Sequence, residues 1–478
     1  MTRFVQGEDR EQTPFAPWRW DDCISEDNPV RVVDVFVAEL DLDELGFKGR
    51  QPRATGRPPY HPSILLKIYL YGYLNRIQSS RRLERETQRN VEVMWLTGRL
   101  MPDFKTIADF RKNNGPAIHS VCQQFTALCR RLDLFSAAVV AVDGSKFKAV
   151  NNRDRNFTSA KVQKRLAQIA ASLKRNQSTL DLADLTEGTA AQGKAAMLRE
   201  KIAVLDQRMQ RLKAIETLVQ ATPDKQISLT DPDARSMATS GKGTGIVGYN
   251  VQTAVDARHH LIVAHDVTNV GNDRAQLAAM AQQAQAATGC QDLDVLADKG
   301  YFKSEELLAC QDAGMTPFVP KPSTSASKAE GRFDKQDFVY VAEENAYHCP
   351  AGERLSWRFA SIEDGMTLHV YWASACQDCR LKAQCTTGQQ RRIKRWEHEA
   401  VLEMMQQRLD QAPDKLALRR QTVEPPFGTI KAWMGATHFL TKTLRRVSTE
   451  MSLHVLAYNL KRVMQVLGVR SLTAAMRA

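Results

Sequence analysis

Long apolar runs are missing from this 478-residue chain. No stretch approaches the ~18 consecutive apolar residues a membrane-spanning helix needs, so a helical integral membrane protein is excluded. No long apolar run follows basic residues near the start, so a secretory leader is not expected. Acidic residues are in deficit: 54 Asp and Glu against 66 Lys and Arg leave a net charge of +12. A surplus of that size suits a polyanionic partner, nucleic acid before membrane. Nine cysteines without a secretion signal point to a reducing compartment, the cytoplasm. Hydrophobic content is 43%, ordinary for a globular protein, and the length allows two to four domains with a substantial core.

Three short stretches stand out. Val139-Val140-Ala141-Val142-Asp143-Gly144-Ser145-Lys146 and Asp294-Val295-Leu296-Ala297-Asp298-Lys299-Gly300-Tyr301 each carry an apolar run that ends on an aspartate followed by turn chemistry. Each predicts a buried strand that delivers a carboxylate at a sheet edge. The third runs from Arg420 through Glu424, Pro425 and Pro426 to Lys431, and places Glu424 at the start of a predicted helix. One aspartate ending a strand is more often a plain turn residue. Three carboxylates converging from two strands and a helix have a chemical use. They would hold two divalent cations about 4 Å apart, which stabilise the attacking and leaving oxygens of a phosphodiester displacement. Mg²⁺ is hard and takes oxygen ligands, so Asp and Glu suit it.

In that order, Asp143, Asp298 and Glu424 resemble the DDE triad of bacterial insertion-sequence transposases, whose core is ribonuclease-H-like. Arg420, Glu424 and Lys431 match the Arg-x3-Glu-x6-Lys signature of one large group of these enzymes; Ala417 stands where a tyrosine usually opens it. Thr230-Asp231-Pro232-Asp233-Ala234-Arg235, Gly248-Tyr249-Asn250-Val251-Gln252 and Thr449-Glu450-Met451-Ser452-Leu453 also match, and the resemblance runs from about Pro59 to about Leu467. It implies a DNA transposase that cuts at insertion-sequence ends and joins them to target DNA, with Mg²⁺ or Mn²⁺ on the three carboxylates. The implied partner is double-stranded DNA, both terminal inverted repeats and target, bound by a homodimer in the cytoplasm at the nucleoid. Arg420 and Lys431 would hold phosphates near the scissile bond, the arginine by bidentate contact and the lysine as a point charge. Lys146 and Lys299, each just past a triad aspartate, would meet the DNA backbone. Trp433 is either a stacking platform for an unpaired base or a core residue. Two rival readings are an inactive domesticated DNA-binding protein, which the complete trio disfavours, and a metal-dependent nuclease that cuts without joining. A third, a helical scaffold, leaves the trio unexplained.

The expected fold class is α/β, in four segments. Residues 1–135 form a helical DNA-binding domain, with helices from Pro62 onward in a helix-turn-helix-like arrangement and a basic Gly/Pro arm from Lys48 to Pro59. Residues 136–320 form the first part of a ribonuclease-H-like core with a mixed sheet. It is interrupted at about 160–220 by an antiparallel helical hairpin whose seam is Val162, Leu166, Ile169 and Leu173 against Leu198, Ile202, Leu205, Met209 and Leu212. A polar stretch from Asn176 to Gly193 is expected to separate its arms. Residues 321–395 form a β-rich insertion carrying Cys349, Cys376, Cys379 and Cys385. Four clustered thiols suit a structural Zn²⁺; the alternative is four reduced cysteines packing a small core. Residues 396–478 complete the core with the Glu424 helix.

Overall fold

The computed structural model describes residues 19–49, 59–136, 138–185, 189–239, 245–322 and 326–478. Most of the basic arm from Lys48 to Pro59 lies outside the described residues. Six helices come first: α1 (Val30–Ala38), α2 (Pro62–Leu74), α3 (Ser80–Arg89), α4 (Val91–Thr97), α5 (Phe104–Asn113) and α6 (Gly115–Arg131). Their starts follow from local chemistry. Pro62 sits where α2 needs no N–H. The Asn90 side chain accepts from the amides of Glu92 and Val93 to open α4, and Asp103 does the same for Lys105 and Thr106 at α5. The sequence predicts one apolar face on α2, but the helix is buried on nearly every side. The reason is its neighbours: α1, α4, α5 and the long α15 (Leu444–Leu467) surround it. Gly72 lets the loop after α2 and the start of α3 pack close, since a Cβ there would lie 2.5 Å from the Ile77 carbonyl oxygen and 2.6 Å from the Leu83 side chain.

A six-stranded mixed sheet follows. Its central strand β1 (Val139–Lys148) has β5 (Gly245–Asp256) antiparallel on one side and β7 (Asp294–Leu296) parallel on the other. A parallel β8 (Thr316–Phe318) lies beyond β7; β4 (Arg235–Ala238) and β6 (Ile262–Thr268) both pair the outer edge of β5. The β5–β6 turn is pinned by Asp256, whose carboxylate accepts from the amides of Arg258 and His259. Helices α9 (Leu277–Thr288) and α10 (Ser304–Asp312) alternate with β6, β7 and β8. Helices α13 (Glu399–Gln411) and α14 (Asp414–Gly428) bring Leu409 and Val423 onto Ala141, Leu296 and Phe318. α15 packs on α6, α2 and β6 and is followed by α16 (Val469–Arg477), which docks on α1. One continuous apolar cluster therefore includes residues of α1 to α6, the sheet and α15.

Two insertions leave this body. The hairpin is α7 (Ser159–Asp184) against α8 (Thr189–Ala221), closed at its base by a small ribbon of β2 (Asn156–Thr158) and β3 (Gln226–Ser228). Its seam lies where the spacing places it: Val162, Leu173, Leu198 and Leu212 are buried, and Leu166, Ile169, Ile202, Leu205 and Met209 are half-buried. The expected polar break at Asn176 does not occur, and α7 runs on to Asp184. The hydroxyls of Ser172, Ser178 and Thr179 donate to carbonyls four residues back, so these polar residues are satisfied within the helix. The second insertion is a five-stranded antiparallel sheet of β9 (Val339–Val341), β10 (Ala346–His348), β11 (Arg354–Glu363), β12 (Met366–Trp372) and β13 (Ile393–Trp396), in the order β13-β12-β11-β10-β9. Short helices α11 (Ala326–Ala329) and α12 (Lys382–Cys385) flank it. Its core is small: Phe338, Tyr347, Leu355, Tyr371, Ala373 and Ile393, with Cys349, Cys376 and Cys385 packed against them.

Candidate active site

Register brings two of the three acidic residues together. The parallel pairing of β1 and β7 matches Val139 with Asp294 and ends at Ala141 opposite Leu296. Asp143 and Asp298 each lie two residues beyond that last pair, so they leave neighbouring strands at the same level. A two-residue step keeps Asp143 on the face of Ala141, which is the face covered by α14. β1 does not end at Asp143 as its Asp-Gly-Ser sequence suggests. β5 offers it a partner as far as Lys148 opposite Gly248, and the paired backbone overrides the turn chemistry. Asp298 does begin a turn: its carboxylate accepts from the Gly300 amide at 2.8 Å and caps the 3-10 turn Lys299–Tyr301.

A cation lies between the two aspartates, and it is not one singled out by the sequence. Arg419 Nη2 is 2.6 Å from Asp143 Oδ1 and 3.9 Å from Asp298 Oδ2. Burial pushes the Asp143 carboxyl up to about 6, with Asp298 and Asp273 adding to the rise and the Arg419 guanidinium opposing it. The signal for Arg419 was present: Leu416, Arg419, Val423 and Phe427 recur at helical spacing, so an arginine sits on the apolar stripe of α14. A charge on such a stripe needs a partner. Arg420, one residue on, is exposed, as is Lys299.

Glu424 does not begin a helix. It is in the second half of α14, with Pro425 and Pro426 inside that helix. The prolines remove two backbone donors. The Thr422 carbonyl loses the helical N–H that residue 426 would otherwise give it. The chain then widens into a π-turn, Thr429–Trp433. Glu424 is five residues on from Arg419, which places it about 140° round the helix from the guanidinium. Its side chain is exposed. The π-turn returns Lys431 to the site, where its Nζ donates to Ser145 Oγ at 2.6 Å and to the Lys146 carbonyl at 3.0 Å and lies 4.5 Å from the centre of the Phe147 ring. Burial lowers the pKa of the Lys431 ammonium, and nearby Asp143 works against that. Trp433 is 67% exposed with Arg76 over its ring, so it is not a core residue.

The opposite face of β1 carries a polar network that the sequence did not suggest. Gln252 and Asn250 both donate to Asp273 Oδ1 at 2.7 Å, the Tyr301 hydroxyl donates to Gln252, and Lys146 reaches Asp273 Oδ2 at 3.5 Å. Lys146 is therefore already paired, on the side of the strand away from Asp143. Among the described residues no group of three or more His, Cys, Asp or Glu side chains is disposed to hold a metal ion. That applies to the acidic trio and to the four cysteines of the insertion. Those four thiols nevertheless line one small pocket with Phe338 and Leu355, and burial and the other three thiols all push the Cys385 thiol pKa up.

Comparison with known proteins decides the family. Residues 18–113 match a transposase domain, DUF772, and residues 216–460, just over half of the chain, match the transposase DDE domain. The chain belongs to the DDE transposase family. It is a DNA transposase, and membership carries a dependence on a divalent metal and DNA as the partner. No curated protein matches it. Among solved structures, the cryo-EM structure of a piggyBac transposase synaptic complex with hairpin DNA aligns over 94% of this chain and 79% of that one. The TM-score is 0.31 at 10% identity. No helix among the described residues is long and apolar enough to cross a membrane.

Proposed function

We propose that Asp143, Asp298 and Glu424 are the DDE triad of this transposase and hold Mg²⁺ or Mn²⁺. The observation that carries this is the shared register of Asp143 and Asp298, two hard oxygen donors brought to one guanidinium nitrogen at the end of parallel strands. The donor set suits a divalent metal, which when bound would activate the attacking oxygen and stabilise the leaving one. Glu424 is the third member by its place in the Arg-x3-Glu-x6-Lys signature, on the same helix as Arg419. The sheet is the ribonuclease-H-like core, a reading supported by antiparallel β6, β5 and β1 followed by parallel β7 and β8.

The chain's own cations complete the site. Lys431, held beside Asp143, meets a phosphate as a point charge. Exposed Arg420 and Lys299 hold the DNA backbone on either side of the carboxylates, and Lys146 joins them by leaving Asp273. The helices within 1–135 serve as the DNA-binding domain, 136–320 and 396–478 as the catalytic core, and 321–395 as an insertion. Substrates are the terminal inverted repeats of a bacterial insertion sequence and a target duplex, handled by a homodimer at the nucleoid. In the insertion, Cys349, Cys376, Cys379 and Cys385 turn their thiols onto one structural Zn²⁺, which reinforces a six-residue core.

Cleavage and joining of labelled insertion-sequence ends test the triad. Asp143→Asn, Asp298→Asn and Glu424→Gln should each abolish cleavage while DNA binding persists. Near-normal cleavage by any of the three would overturn its assignment. Cleavage without joining by the wild-type chain would favour the nuclease reading.

A further inference from the structure

Arg419 is outside the signature residues, yet it touches both strand-borne aspartates. Its manner of contact leaves most of the guanidinium unused. Arginine–carboxylate pairs are frequently bidentate, with two parallel N–H bonds to one carboxylate, as Arg395 makes to Glu403. Here a single nitrogen, Nη2, is 2.6 Å from Asp143 and 3.9 Å from Asp298, and Nε is buried without a hydrogen-bond partner. The group acts on the two carboxylates as a point charge between them, which is how a metal ion acts. Its fork is only partly used, so the contact gives up less when it is broken. The apolar stripe of Leu416, Val423 and Phe427 holds the arginine on the sheet side of α14, where the side chain is 12% exposed. Exposed Arg420 is placed to meet DNA; Arg419 is not.

We propose that Arg419 is a built-in counter-cation of the catalytic carboxylates, a positioning residue that keeps Asp143 and Asp298 together and that divalent metal must displace. Two carboxylates facing one space repel each other, and one positive charge between them removes that repulsion while the chain folds. Metal then binds in competition with the guanidinium. The apparent metal affinity of the DNA-free protein is held down, and the charge that leaves Asp143 stays beside the site. This rests on the assignment of Asp143 and Asp298 to the metal site.

The test is Mn²⁺ binding to the full-length, DNA-free chain, read from the loss of the free-ion electron paramagnetic resonance signal. Three proteins are compared: wild type, Arg419→Gln and Asp143→Asn. Removing a charge-assisted contact of ordinary strength should tighten Mn²⁺ binding to Arg419→Gln by about tenfold. A purely structural arginine would not do this, because its loss loosens the site and weakens binding. Asp143→Asn should lose the binding. If Asp143→Asn loses it while Arg419→Gln binds no better than wild type, the counter-cation proposal falls and the metal-site reading stands. If Asp143→Asn binds as wild type does, the site reading falls and takes the proposal with it. Should Arg419→Gln fail to fold, Arg419→Lys replaces it: the charge remains on a shorter arm, and binding should tighten by a smaller factor, with no tightening counting against the proposal.

Discussion

Acidification from pH 7.5 to 5 should unsettle this fold through two histidines in particular. His265 lies on β6 with its Nε2 2.9 Å from Ser452 Oγ on α15, and its ring is 5.2 Å from that of His119. His454 lies on α15, its ring 4.6 Å from Tyr73. Both are buried, and burial is the main reason each is pushed down to about 3, helped by His119 in the first case and by Arg111 in the second. The folded state thus binds protons more weakly than an unfolded chain, whose histidines titrate near 6.5. The stability each histidine contributes is present above that unfolded value. It is lost as pH falls from there toward the folded value. At pH 5 an unfolded histidine is almost wholly protonated and these two are not, a difference of roughly 1.5 pH units or about 2 kcal/mol for each. Together that is about 4 kcal/mol, a large share of the 5–15 kcal/mol that holds a typical domain together. Asp143 works the other way in the metal-free protein, because its raised pKa favours the folded state as pH falls below about 6. The drop in wild type alone is therefore not diagnostic. The measurement is the change in urea midpoint between pH 7.5 and 5 for wild type, His265→Gln and His454→Gln, followed by circular dichroism. Each variant, whatever it loses at pH 7.5, should lose about 2 kcal/mol less than wild type on acidification. A pH dependence equal to that of wild type in both would refute the reasoning.

Other outcomes follow from the site and its surroundings. Gly144→Ala puts a Cβ 2.5 Å from Gln252 Nε2, 2.6 Å from Asp273 Oδ1 and 3.1 Å from the Tyr301 hydroxyl, so overpacking should lower stability in urea by about 1–3 kcal/mol. Arg420→Ala and Lys299→Ala should weaken DNA binding and flatten its salt dependence, each by about one unit of log affinity per log salt if one phosphate contact is lost. Binding and a salt slope equal to wild type would remove that residue from the interface. Purified protein should carry about one zinc per chain by elemental analysis. Fully folded, metal-free protein would leave the four cysteines as core residues.

Much of the chain could be read from pattern alone, for physical reasons. Val139 to Val142 and Val295 to Leu296 read as strands because each is a short apolar run, and both lie in strands, β1 and β7. The hairpin seam was legible because a spacing of four and three survives any loop. Asp143 and Asp298 could be marked as candidates, but their adjacency comes from a parallel register that no local pattern contains. Local signals failed where tertiary partners overrode them. Asp143-Gly144 did not turn, because β5 supplies a partner to Lys148. Pro425-Pro426 did not start or stop α14, which runs on to Gly428 and into the π-turn Thr429–Trp433. The signature spacing points to Arg420, whereas the buried stripe of α14 carries Arg419.

α15 has a consequence for shortened versions of this protein. It is the wall shared by the N-terminal helices and the sheet, and it follows both of them in the chain. A message that stops before Leu444 would leave α2 and α6 facing water along the surface that α15 covers. Such a product should be recovered unfolded or degraded, as limited proteolysis of a chain ending at Thr443 would reveal. Copies of the gene that stop before α15 would then supply no surviving rival for the DNA ends.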